Sequence, residues 1–130
     1  MRKIIKRYTG NEKGSQTIEF VAIFPLLIFA IFFVWQVSLV AYALVVTEAA
    51  ARDGARAAAV EGDYVQAVEN SAVGLQLAGT PTRSIGSSGY GEEVTVTVVT
   101  KVPFIQMPIL NNLDQNITRS VTMPYEGESD

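Results

Sequence analysis

From Phe20 to Thr47 the chain runs for 28 residues without a formal charge (FVAIFPLLIFAIFFVWQVSLVAYALVVT). A helix needs about 20 apolar residues to cross the hydrocarbon core of a bilayer. A helix of a soluble protein normally keeps one face polar, and this run has no such face. A cleaved secretory signal is the serious rival, but its apolar region is about 7–15 residues long, so this run is too long for it. The small residues Ala49, Ala50 and Ala51 resemble a signal-peptidase site, yet the residues after them continue a helical pattern. The run therefore reads as a single membrane-spanning helix. Pro25 removes one backbone hydrogen bond and crowds the preceding turn, which predicts a kink near Phe24–Pro25. Trp35 and Tyr42 suit an interface, although two aromatics do not fix depth.

The helix is expected to outlast the membrane. The next residues, EAAARDGARAAAVEG, are rich in the best helix former, and nothing breaks the pattern before Gly62. A helix from about Ile18 to Val60 would be roughly 64 Å long, twice the thickness of the hydrocarbon core. Glu48 and Arg52 stand four apart in the favourable order. Ala43, Thr47, Ala50, Gly54 and Ala58 recur at spacings of three or four and form a stripe of small residues. Such a stripe lets another helix approach closely. The plainer reading is an Ala-rich helix with no special partner.

Charge is divided along the chain. Residues 1–14 hold Arg2, Lys3, Lys6, Arg7 and Lys13 against Glu12, a balance of +4, and the other 116 residues carry -7, giving -3 in all. A basic tip ahead of an apolar run marks a cytoplasmic flank, with the acidic remainder outside. The overall balance gives no reason to expect nucleic acid. Cysteine and histidine are both absent. Disulfides and thiol nucleophiles are excluded, and so are the commonest general base and metal ligand. Glu92 with Glu93, and the closing EGESD, lack the spacing of a calcium loop and read as solvated charge. The sequence thus points to no enzyme, no cofactor and no metal.

The region after the helix is small. Asp63 is a fair N-cap with Gln66 three residues on. Val65, Val68, Ala72 and Leu75 mark a second helix over 64–78, ended by Gly79 and Pro81. Residues 79–91 (GTPTRSIGSSGYG) read as a loop. Glu93–Val102 and Ile117–Met123 are β-branched and alternating, and read as strands. Between them Phe104, Ile105, Met107, Ile109 and Leu110 form an apolar loop, read as a lid over a small core or else a partner-contact patch. The expected fold is α+β: a long N-terminal transmembrane helix, a short helix and a small antiparallel sheet. Two strands alone are marginal, so the long helix is expected to supply part of the core.

One pattern at the start of the span carries a functional signal: Gly14-Ser15-Gln16-Thr17-Ile18-Glu19-Phe20. A basic leader, a glycine, four residues, a glutamate and an aromatic then open the apolar helix. This arrangement resembles the class III prepilins of the type IV pilin superfamily. More narrowly it is similar to the TadE-like minor pilins (pseudopilins) of the tight-adherence pilus system, on Ile18–Pro25 (IEFVAIFP) and Ala50–Ala57 (AARDGARA), and only loosely on Ile117–Glu126. The resemblance implies a pilin-like fold with a 1–14 leader, a 15–61 assembly helix and a 62–130 extracytoplasmic domain. It implies cleavage between Gly14 and Ser15 by a prepilin peptidase, and register of each subunit set by Glu19 with Phe20 beside it. It also implies a major pilin, sister minor pilins and the membrane platform of the pilus machine as partners, besides the lipid bilayer. A minor role is favoured because abundant subunits of this system are much shorter.

Glu19 has a physical reading of its own. A carboxylate at the edge of hydrocarbon costs a few kcal/mol unless it is paired or reaches water. After a cut at Gly14, the free amine of Ser15 would be cationic and able to neutralise Glu19 in the same or a neighbouring chain. The bland alternative is a solvated acid favoured by the helix dipole. A different class of function also stands open: an uncleaved, single-pass anchored module whose outer domain binds a ligand.

Overall fold

In the computed structural model, residues 12–104 and 115–127 are described. The order is α1 (Glu12–Ala59), α2 (Tyr64–Ser71), β1 (Thr82–Ser88), β2 (Gly91–Lys101) and β3 (Asn116–Pro124). The fold is α+β, as expected. The chain divides into two units, Met1–Trp35 and Gln36–Asp130, so the division falls inside α1. The first fourteen residues lie mostly outside the described ones, and so do Ile105, Met107, Ile109 and Leu110 of the expected apolar loop and the last residues of the acidic tail.

The long helix continues unbroken through Pro25, the site of the expected kink. Proline there takes away the amide that the Val21 carbonyl would otherwise accept. At the far end α1 closes differently from the sequence expectation, which assigned the break to Gly62. The residue in the left-handed region is Glu61, with φ 59°. Its N–H donates to the Ala58 carbonyl at 3.3 Å, and the Gly62 N–H donates to the Ala57 carbonyl at 2.8 Å. That pair of bonds is a Schellman closure. Gly62 serves close approach instead: a Cβ there would sit 3.1 Å from the Ala57 oxygen. The segment after β3 completes the cap. The Glu126 N–H donates to the Ala59 carbonyl at 2.9 Å, and the Tyr125 phenol donates to Glu61 Oε1 at 2.5 Å.

The second helix starts as expected, with Asp63 accepting from the Gln66 N–H at 3.0 Å. It ends at Ser71, well short of residue 78. The chain turns at Gly74, φ 73°, and residues 76–78 join the sheet. The Ala78 N–H donates to the Val99 carbonyl, and the Lys101 N–H to the Gln76 carbonyl, each at 2.8 Å. The backbone at this end of β2 needs partners, and those residues supply them. Val68 and Ala72 of the expected stripe are buried, whereas Leu75 lies beyond the helix.

The sheet has three strands in the order β1-β2-β3, both pairs antiparallel. The sequence reading made residues 79–91 a loop and allowed only two strands; Thr82–Ser88 is the third. Its Ser and Gly content hides it, because its place is set by backbone pairing with β2 and by a two-residue turn at Gly89–Tyr90. Tyr90 at that tip is fully exposed.

The core lies between one face of the sheet and the second half of α1. Val94, Val96, Val98 and Thr100 alternate along β2 and are buried against Ala50, Ala51, Ala55 and Ala58 of α1 and Val68 of α2. On the opposite face hydroxyls pair across the strands, Thr95 with Thr122 and Thr97 with Ser120, each at 2.7 Å.

Gly54 leaves no room for a side chain in this packing. A Cβ there would lie 2.5 Å from Val68 Cγ2 and 3.1 Å from Val96 Cγ1. Gly54→Ala is expected to lower stability by about 1–3 kcal/mol, measured by denaturant unfolding of the full chain in detergent. Combined with Val68→Ala, the loss should be smaller than the sum of the two single losses. At the helix end, the Glu61 carboxylate holds the Tyr125 proton and raises the phenol above its ordinary value of 10.0. This contribution is complete below about pH 10 and is lost as pH rises through the folded value. Tyr125→Phe should remove that component of the alkaline stability loss in a pH titration of unfolding.

Candidate assembly helix

Among its described residues the first unit offers the surface of the helix itself. Every residue from Gln16 to Trp35 is exposed. The stretch contains Phe20, Phe24, Phe29, Phe32 and Phe33 with Ile and Leu all round, and Phe20 is 69% exposed. Twenty helical residues are about 30 Å long, the thickness of a hydrocarbon core. Phe20 and Phe24 lie one turn apart with ring centroids 6.4 Å from each other.

Glu19 carries the only formal charge between Ser15 and Thr47, and it is exposed. Gly14 lies in the helix, and a Cβ there would meet nothing within 4 Å. Glycine inside a helix costs about 1 kcal/mol relative to alanine, and no packing among the described residues requires this one. Gly14, Ser15, Glu19 and Phe20 are thus brought onto the first turns of one helix.

The small-residue stripe has a different setting. Ala43, Thr47, Ala50, Gly54 and Ala58 are all buried within the second unit. The sequence suggested that another helix would lie on this stripe; here its occupants are the chain's own β2 and, at Gly54, α2 through Val68. The valine row on β2 needs a face without large side chains, and this face supplies one.

Three polar contacts were not foreseen. Thr47 Oγ1 donates to the Ala43 carbonyl at 2.6 Å and lies 2.6 Å from Thr100 Oγ1. A hydroxyl has one proton, so Thr100 must be the donor in the second bond. Both threonines are fully buried. The inward position of Thr100 follows from the alternation of β2, but its meeting with Thr47, 53 residues away, has no local signal. Gln36 likewise donates to the Pro103 carbonyl at 3.2 Å. Glu48 meets Arg52 at 3.4 Å, as the four-residue spacing suggested, and faces Arg119 of β3 at 3.9 Å. All three are well exposed, which limits each pair to about 0.2–1 kcal/mol.

Residues 14–56 match the family model described as TadE-like protein. Over that stretch the N-terminal helix is similar to the TadE-like family. The match begins at Gly14 and covers 43 residues of the 130, all within α1. The exposed apolar length of this helix is compatible with a membrane anchor. No curated protein and no solved structure matches the chain.

Thr47→Val should destabilise the protein by about 1–3 kcal/mol, because Thr100 then keeps a buried hydroxyl without its acceptor. Thr100→Val should cost less, since Thr47 still donates to Ala43. The double variant should unfold closer to wild type than Thr47→Val alone, as measured by thermal unfolding in detergent.

Proposed function

We propose that this chain is a minor pilin of a tight-adherence type IV pilus, held in the cell membrane by α1 and packed into the pilus through it. The observation that carries this reading is the exposed apolar helix Gln16–Trp35 with Glu19 as its sole charge, inside the TadE-like match. Residues 1–14 are the basic leader, 15–61 the assembly helix and 62–130 the extracytoplasmic domain. A prepilin peptidase cuts between Gly14 and Ser15. Gly14 supports this, being a helical glycine that no contact among the described residues requires. The +4 leader keeps the N-terminus in the cytoplasm until then. The free amine on Ser15 neutralises Glu19 of the same or an adjoining subunit and sets register, with Phe20 alongside. The partners are the peptidase, a major pilin, sister minor pilins and the membrane platform.

The intact mass of the protein recovered from membranes tests the cut, and loss of residues 1–14 is expected. Gly14→Leu should leave the leader in place; mature protein with an unchanged N-terminus would refute the assignment. Glu19→Ala should be processed normally yet be depleted at least about tenfold from sheared pili, since one unmatched charge contact at low dielectric exceeds 1.4 kcal/mol.

A further inference from the structure

We infer that the lipid ends at Trp35–Gln36, so that the last twelve residues of the uncharged run stand outside the bilayer against the chain's own domain. The inference rests on the membrane anchoring proposed above and adds the depth of the anchor. By hydropathy alone the span would be placed anywhere within Phe20–Thr47, which is about 42 Å of helix and too long for a hydrocarbon core of about 30 Å.

The second unit decides which part of the run is surplus. Gln36 is the first residue of α1 after Gln16 that is partly buried instead of exposed, and its amide donates to the Pro103 carbonyl. Beyond it, polar groups crowd the same stretch of helix. The Tyr42 hydroxyl donates to the Val73 carbonyl at 2.8 Å in an exposed bond, beside the turn at Gly74. Thr47 is level with Thr100, so the end of β2, with exposed Lys101 paired to exposed Asn116, is level with the turns of α1 between Gln36 and Thr47. Hydrocarbon does not accept an exposed strand end, a turn backbone and a lysine. Lipid must therefore stop before these groups.

The other end of the span then follows. Counting about 30 Å back from Trp35 reaches Gln16. Glu19 falls within one turn of the inner edge, Ser15 lies outside it, and Trp35 takes the headgroup level that tryptophan favours. Val37 and Val45, 52% and 70% exposed, are left above the lipid, where they face water or protein.

The composition makes the test direct, because the chain has one tryptophan and no cysteine. In phosphatidylcholine vesicles, Trp35 of the unaltered mature chain should be quenched most strongly by lipids brominated near the headgroup. Strongest quenching by lipids brominated near the bilayer centre would overturn the inference. Single variants Val45→Cys and Phe29→Cys supply a second measurement with a charged maleimide present on both sides of the membrane. Phe29→Cys should react at least about tenfold more slowly, because the thiolate needs water. Equal protection of the two sites would overturn the assigned depth. Absence of quenching by any lipid would mean that no span exists, which overturns the anchoring itself and is distinct from a wrong depth.

Discussion

The second unit depends on a close approach between a row of valines and a helix face stripped of side chains. Val94, Val96 and Val98 need depth, and Ala50, Ala51, Gly54, Ala55 and Ala58 provide it. A three-stranded sheet with one eight-residue helix has too little apolar surface to fold unaided. By borrowing the second half of α1 it gains a rigid apolar wall. The wall in turn is held in helical form by the sheet, and at Gly54 the Val68 and Val96 side chains fill the space that a Cβ would take.

The polar groups that this arrangement buries are matched. Thr100 ends the inward row of β2, where its hydroxyl finds Thr47, and Thr47 turns back to its own helix at Ala43. At the other end, orphan carbonyls of α1 are taken up by Gly62 and by the backbone of Glu126. Contacts near the start and the finish of the same helical stretch thus fix the sheet along α1, and the register does not rest on apolar contact alone.

Much of this was readable beforehand. The span and its Ala-rich continuation announce themselves through charge and helix propensity, Asp63 through its capping pattern, and β2 and β3 through β-branched alternation. What escaped was non-local. Thr82–Ser88 has poor strand propensity and is a strand because β2 lies beside it. The early end of α2 reflects the demand of β2 for partners at residues 76–78. The left-handed residue at the end of α1 is Glu61 and not the neighbouring glycine, because Tyr125 and Glu126 arrive from the far end of the chain to hold it. Small residues at helical spacing signalled close packing at the stripe, but spacing cannot say whether the visitor is a foreign helix or the chain's own sheet. In the candidate site, Gly14, Glu19 and Phe20 were visible as a motif, while the Thr47–Thr100 and Gln36–Pro103 contacts needed the fold.

The occupied stripe has a geometric consequence for docking. Since β2 and α2 already fill that side, the opposite flank of this part of α1 is the one left uncovered among the described residues. There Val37, Ala41, Val45 and Ala49 recur every four residues, all exposed. They form a shallow ridge of the kind that seats in the groove of a crossing helix. The second half of α1 is therefore two-sided: one flank is closed by its own chain, and the other stays exposed.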